Sequence, residues 1–103
     1  MQSANPTWSL LSSHGMVLFV LAANPDSTVR EIAERIRVTE RTVFSVVQDL
    51  AGAQMVSSRK VGRRNSYAVN RDAHLVHPNF SHLRVGPFID AMLNPPSASP
   101  SQP

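Results

Sequence analysis

The sequence of 103 residues contains no cysteine, which excludes disulfide bonds, a thiol nucleophile and any zinc site that needs a thiolate. Its longest apolar run, residues 16–23, is far shorter than the roughly twenty residues of a membrane-spanning helix. No secretion signal and no internal repeat is visible. These absences favour a cytoplasmic protein, and the length favours a single domain with a modest core.

Acidic residues are missing from one stretch of the chain. Of the net charge of +3, residues 55–71 contribute +5 and the remaining residues −2. The cations of this stretch are Arg59, Lys60, Arg63, Arg64 and Arg71. A local excess of this kind predicts a contact with an anionic partner rather than a general property of the surface.

Three helices are predicted before the basic stretch. The first begins at about Pro6 or Ser13 and ends at Ala23, and its apolar residues on all sides predict burial. In the second helix, Thr28 and Glu31 have the spacing of a capping box. The third covers residues 40–51 after a cap at Thr39. Apolar residues repeat with helical spacing in the second and third helices: Val29, Ile32, Ala33, Ile36, Val43, Val46, Val47 and Leu50.

The sequence pattern changes from Met55 onward. Two strands are predicted, joined by a turn that runs from Gly62 to Asn65. Residues 71–79 read as irregular, and a last helix is expected over about residues 81–93, with Pro87 at the start of the regular part. The Pro- and Ser-rich residues 95–103 are predicted to be a disordered tail, which leaves residues 1–94 as the domain.

This layout, carried by TVREIAERIRVTERTVFSVVQDL and MVSSRKVGRRNSYAVN, resembles the winged helix-turn-helix regulators of the MarR/ArsR-like type over about residues 13–70. Ala33 stands at the family's small position between the helices, and Val38 fills the turn. Arg37 and Gln54 depart from the family, which has glycine there, so Gly52 is expected to end the third helix. The resemblance implies a mainly α protein with a small β-hairpin (α+β) and a C-terminal dimerisation helix.

The resemblance further implies a sequence-specific regulator of transcription, a repressor by expectation, that binds double-stranded DNA through residues 40–51. With the apolar face turned inward, the outward positions form a reading face: Glu40, Arg41, Phe44, Ser45 and Gln48. Arg41 can bind a guanine edge, and Gln48 can bind an adenine or a phosphate. Phe44 can contact a thymine methyl group or, on the alternative interpretation, pack against the hairpin or Tyr67.

Residues 59–66 correspond to the wing of this fold. Their cations are expected on DNA: Arg59, Lys60, Arg63 and Arg64. We expect the first two on phosphates and the last two, at the hairpin tip, in the minor groove. Thr28 and Thr39 begin helices, where backbone N–H groups can bind phosphate.

A homodimer is expected because one such module makes few base contacts and because the ends of the chain carry more apolar side chains than a small core needs. The expected interface comprises Trp8, Leu11, Phe88, Ile89, Met92 and Leu93. The chain is shorter than the ligand-responsive MarR regulators, so no small-molecule effector is inferred. The expected location is the cytoplasm, in association with the nucleoid.

Other functions have weaker support in the sequence. The histidines at positions 74, 77 and 82, with Asp72, do not have the spacing of a known metal site, and no metal or cofactor is expected. Ser12, Ser13 and His14 lack an evident carboxylate partner, so no enzyme is expected. The main alternative is a protein–protein adaptor of winged-helix fold, in which an exposed apolar stripe would replace the polar reading face. RNA remains a third possible ligand.

Overall fold

The computed structural model describes residues 8–94, which form four helices and a two-stranded antiparallel sheet. In chain order the elements are α1 (Ser13–Ala23), α2 (Val29–Ile36), α3 (Glu40–Gly52), β1 (Val56–Val61), β2 (Arg64–Val69) and α4 (Val85–Leu93). The predicted α+β architecture, a winged helix-turn-helix followed by a C-terminal helix, is confirmed. No helix in this part of the chain is long and apolar enough to cross a bilayer. The predicted tail and the first residues of the domain lie outside the described residues.

Side chains cap the first three helices, at the predicted positions Thr28 and Thr39 and also at Ser12. Ser12 accepts the N–H of Gly15 and begins α1. Thr28 and Glu31 form a complete capping box, because the hydroxyl accepts the Glu31 N–H at 3.1 Å and the carboxylate accepts the Thr28 N–H at 2.8 Å. Thr39 caps α3 by accepting the N–H of Thr42. These bonds satisfy N–H groups that a helix leaves without partners and so fix where each helix starts.

A single apolar core joins α1, α2, α3, α4 and the base of the hairpin. Val17 and Leu21 of α1 are fully buried, as expected from the apolar residues around that helix. The buried residues of α2 and α3 are those with helical spacing: Ile32, Ala33, Val43, Val46, Val47 and Leu50. Met55 and Val56 bury the start of the hairpin against them. The core therefore fixes the orientation of α3, whose opposite side faces solvent.

Left-handed residues end α2 and α3, where the family has glycine. Arg37 has φ 63° and ψ 50°, and Gln54 has φ 60°. After α3, the Met55 N–H donates to Leu50 O at 2.9 Å and the Gln54 N–H donates to Ala51 O at 3.0 Å, the bond pattern of a Schellman motif. The prediction that Gly52 ends α3 is correct in position, but the left-handed residue that reverses the chain is Gln54. Gly52 is the last helical residue, and the chain reverses two residues later.

The hairpin turn is shorter than predicted. β1 and β2 pair in register from Val56 opposite Val69 to Val61 opposite Arg64, so the turn consists of Gly62 and Arg63 alone. Gly62 has φ 66°, as the first central residue of a type II′ turn requires. Arg64 and Asn65 belong to β2. The sequence pattern assigned these two residues to the turn, because polar residues are as acceptable in an exposed strand as in a turn.

The last helix begins at Val85 rather than near residue 81. Extended backbone pairs His74 with Arg84, and the Val85 N–H donates to Ala73 O at 2.8 Å. The Gly86 N–H then donates to Arg71 O, and a Cβ on Gly86 would lie 3.0 Å from that oxygen. This bridge holds the preceding residues out of the helix. Pro87 is accordingly the third helical residue and not the first.

Candidate nucleic-acid interface

The helix α3 has one buried and one solvent-facing side. All five residues of the reading face are exposed: Glu40, Arg41, Phe44, Ser45 and Gln48. Phe44 is 57 % exposed, and the aromatic contact within residues 8–94 joins His77 and Phe80 instead. Phe44 is therefore not packed against Tyr67. The face is polar around one apolar ring.

The helix α3 is capped at its N-terminus and is attached to other elements near its C-terminus. At the N-terminus, Thr39 Oγ1 lies 2.9 Å from Thr42 Oγ1, in addition to its capping bond. Near the C-terminus, His14 Nε2 of α1 lies 2.9 Å from Asp49 Oδ2. Asn70 Nδ2 donates to Gln54 O at 3.0 Å and joins the end of the hairpin to the end of α3. The reading face is thus carried by a helix that packs into the core and is joined near its C-terminal end to α1 and to the hairpin.

The five cations of the basic stretch have different surroundings. Arg59, Lys60 and Arg63 are exposed and form no ion pair or side-chain hydrogen bond within the described residues. Arg64 donates through Nη2 to the Asp26 carbonyl oxygen at 3.0 Å. Arg71 is paired with Asp90 of α4. Arg64 adjoins Arg63 at the hairpin tip, as predicted, but its guanidinium binds the α1–α2 loop.

The N-terminus of α2 is already occupied by a carboxylate. The Thr28 N–H donates to Glu31 Oε1, and this hydrogen bond is the main reason that the pKa of Glu31 lies below its usual range. Desolvation, the second largest influence, opposes this shift of the pKa, and the Thr28 hydroxyl and the charges of Arg64 and Arg35 reinforce it. The Thr28 N–H already has an acceptor within the chain, and the phosphate contact expected at this helix start stays a prediction. Thr39 remains a candidate for such a contact.

Three histidines within residues 8–94 contact polar groups of other residues. His74 Nδ1 lies 2.7 Å from Ser81 O, and His77 Nδ1 accepts the Asn79 N–H at 3.0 Å. Within residues 8–94 there is no group of three or more metal-ligating side chains. His14 does have a carboxylate partner, Asp49, which the sequence analysis missed because 35 residues separate the two. Both side chains are largely exposed, so the pair is a surface link between α1 and α3.

The residues expected at a dimer interface separate into two groups. Ile89 is fully buried in the core of its own chain, so its assignment to an interface is wrong. Its neighbours on α4 are accessible, since Phe88 is 46 % and Met92 53 % exposed. Trp8 is 71 % exposed, and Leu11 and Phe88 line a common apolar cavity of about 300 Å³. Residues three or four positions apart share one side of a helix, and Ile89 lies on the buried side of α4, so the interface prediction is wrong at Ile89.

Comparison with known proteins supports this description of the chain. Residues 8–64 match the sequence model of the MarR family. A solved structure of a point mutant of Lactococcus lactis ZitR is similar in fold, with a TM-score of 0.58 at 16 % sequence identity. The similarity covers 90 % of this chain but only 57 % of ZitR, so the chain spans little more than half the length of that relative. No curated protein matches the sequence with significance. Because the family match covers more than half of the chain and the fold is that of a winged helix-turn-helix, the protein belongs to the MarR family of regulators.

Proposed function

We propose that this protein is a transcription regulator, a repressor in the simplest case, that binds a specific sequence of double-stranded DNA. The observation that supports the proposal most strongly is the reading face of α3, which is exposed along its length while the opposite face is buried. An α-helix fits the major groove of B-DNA, where every base pair presents a distinct set of donors, acceptors and methyl groups. Arg41, Ser45 and Gln48 supply the donors and acceptors for that groove.

The wing complements the helix electrostatically. Arg59, Lys60 and Arg63 have no acidic partner within residues 8–94, so their charge is available to phosphates. Arg63 lies in the two-residue turn itself, where its neighbour is Gly62. In our proposal α3 reads the base pairs, while the wing binds the backbone and inserts Arg63 in the minor groove. Such a regulator acts in the cytoplasm, at the nucleoid.

We further propose that the protein binds DNA as a homodimer. Leu11 and Phe88 line the 300 Å³ apolar cavity, and Trp8, Phe88, Met92 and Leu93 are exposed. These exposed apolar side chains and the open apolar cavity favour contact with a second copy. The two reading helices would then contact half-sites about one helical turn apart.

Selection of bound sequences from random duplex DNA tests the proposal. The expected product is a pseudo-palindromic consensus, because an isologous dimer presents the same face twice. A consensus without symmetry would contradict the dimer but not the assignment of α3 as the helix that reads the bases. Failure to retain any duplex at low ionic strength would contradict DNA binding, since the phosphate contribution is greatest there.

The adaptor alternative makes a different prediction for the same face. A protein-binding surface of this size normally contains several exposed apolar residues, whereas the reading face has only Phe44. Exposed Phe44 suits a thymine methyl group as well as a protein partner. A Phe44→Ala variant that retains DNA binding but loses preference for thymine over uracil in the duplex supports the DNA assignment. A competing RNA duplex of the same sequence distinguishes DNA from RNA recognition.

A further inference from the structure

The outer part of the hairpin receives little support from the core. Val56 is buried and Val69 half-buried at its base, but every residue from 57 to 65 is exposed. The sheet has only two strands, and a two-stranded hairpin is at best marginally stable in water by itself. The position of the wing must therefore depend on contacts along its edge.

The α1–α2 loop supplies these contacts to β2. The Tyr67 N–H donates to Pro25 O at 2.9 Å, in the manner of a short additional strand. Three residues nearer the tip, Arg64 Nη2 donates to Asp26 O at 3.0 Å. Within the described residues this is the side-chain hydrogen bond that joins the exposed part of the hairpin to the rest of the molecule. Arg64 pairs with Val61 directly beside the turn, so the bond acts close to the tip.

The charge of Arg64 is also compensated within the chain. Arg64 and Glu31 line the same cleft, together with the loop from Ala23 to Ser27. The guanidinium is one of the groups that stabilise the ionised form of Glu31. Arg63, the adjacent residue, has no comparable partner within residues 8–94. Two neighbouring arginines of the same sequence motif thus have different electrostatic environments.

We propose that Arg64 is a positioning residue: its bond to the Asp26 carbonyl holds the wing against the α1–α2 loop so that Arg63 is presented to DNA in a fixed place. The proposal rests on the proposed DNA-binding function for its consequence but not for its structural part. A wing that is ordered before binding loses less conformational entropy when the complex forms. Arginine suits this role because its planar guanidinium offers several donors in a fixed geometry. Arg63 then contributes the contact with the nucleic acid.

Amide hydrogen exchange in the free protein tests the structural part. The variants Arg64→Ala and Arg63→Ala remove the same charge from adjacent positions, so each is the control for the other. In Arg64→Ala, amides of residues 57–66 are expected to exchange about fivefold to tenfold faster, with unchanged protection in α1 and α3. Arg63→Ala is expected to leave wing exchange unchanged. Equal exchange in the two variants would overturn the proposal.

The salt dependence of DNA binding tests the consequence. Each cation that replaces a condensed counterion on the DNA, in a groove or on the backbone, contributes about 0.9 to the slope of log K against log salt. We expect the slope to fall by that amount in Arg63→Ala, whereas Arg64→Ala weakens binding at every salt concentration with the parental slope. Equal loss of slope in both variants would assign Arg64 to DNA and overturn its positioning role.

A further variant separates the two proposals. Arg64→Lys keeps the charge but not the guanidinium, so wing exchange should remain faster than in the parent. Parental exchange in this variant would show that charge alone suffices and would overturn the role of the guanidinium. If no protein binds duplex DNA at low salt, the proposed function fails, while the exchange data still decide whether Arg64 holds the wing.

Discussion

The two left-handed residues that bound α3 allow a quantitative test of how the reading helix is held. Arg37 lies just before α3 and Gln54 just after it, both near φ 60°. An L-residue in this conformation costs roughly 1–2 kcal/mol that glycine does not. Glycine returns about 0.4–1 kcal/mol of this through the greater freedom of the unfolded chain. The substitutions Arg37→Gly and Gln54→Gly should therefore each stabilise the fold by about 0.5–1 kcal/mol.

The two effects should add. α3 has 13 residues, which at about 1.5 Å per residue separates its ends by roughly 20 Å, beyond the range of direct coupling. The double variant should gain about 1–2 kcal/mol, or an increase in Tm of at least about 4 °C for a domain of this size. Urea denaturation and calorimetry measure the two quantities.

Matched variants isolate the backbone effect. Arg37→Ala removes the side chain but keeps the strain, so it should leave stability nearly unchanged. Gly52→Ala should stabilise the protein by up to about 1 kcal/mol, because Gly52 is helical and an added Cβ meets nothing within 4 Å. Destabilisation by Gly52→Ala, together with loss of stability in the two glycine variants, would refute the reasoning, because the chain would then reverse at Gly52.

Three further predictions concern the caps, the acid response and the surface. Thr39→Ala should destabilise the protein by about 1 kcal/mol in urea denaturation, because the Thr42 N–H loses its acceptor; Thr39→Ser should restore most of it. Because the pKa of Glu31 is lowered in the folded state, its ionised form stabilises the fold above the unfolded pKa of about 4.3, and this contribution is lost as the pH falls through the folded value. The variant Glu31→Gln keeps the hydrogen-bond acceptor but does not titrate, so it should lose less stability than the parent between pH 5.5 and pH 3. An equal loss of stability in parent and variant would contradict the assignment. Met92→Asp should convert a dimer to a monomer in sedimentation at micromolar concentration without loss of helicity, and a parental protein that is already monomeric would contradict the dimer.

Local signals in the sequence predicted the helices of the reading unit well. The capping residues Thr28 and Thr39 act within three residues of the chain, and the apolar spacing of α2 and α3 follows from the helical period alone. Both features are determined by neighbours in sequence. The faces of α3, and hence the candidate reading residues, could therefore be assigned without coordinates.

Features set by distant contacts could not be predicted in the same way. Arg64 binds a carbonyl 38 residues away, and nothing in the local pattern distinguishes it from Arg63. The start of α4 depends on a bridge between His74 and Arg84, which overrides the apolar spacing nearby. Ile89 was assigned to a surface because both sides of α4 are apolar, and only the packing against α1 selects the buried one.

The central claim, that α3 reads base pairs, is tested most directly by base discrimination in an Arg41 variant. The duplex obtained by selection and its single-base variants are titrated by fluorescence anisotropy with the parent, Arg41→Ala and Arg84→Ala, the last an exposed arginine outside the reading face. We expect Arg41→Ala to lose about 1–3 kcal/mol of discrimination at one base pair per half-site and Arg84→Ala to lose none. Parental discrimination at every position in Arg41→Ala would contradict the assignment of Arg41 as a base contact.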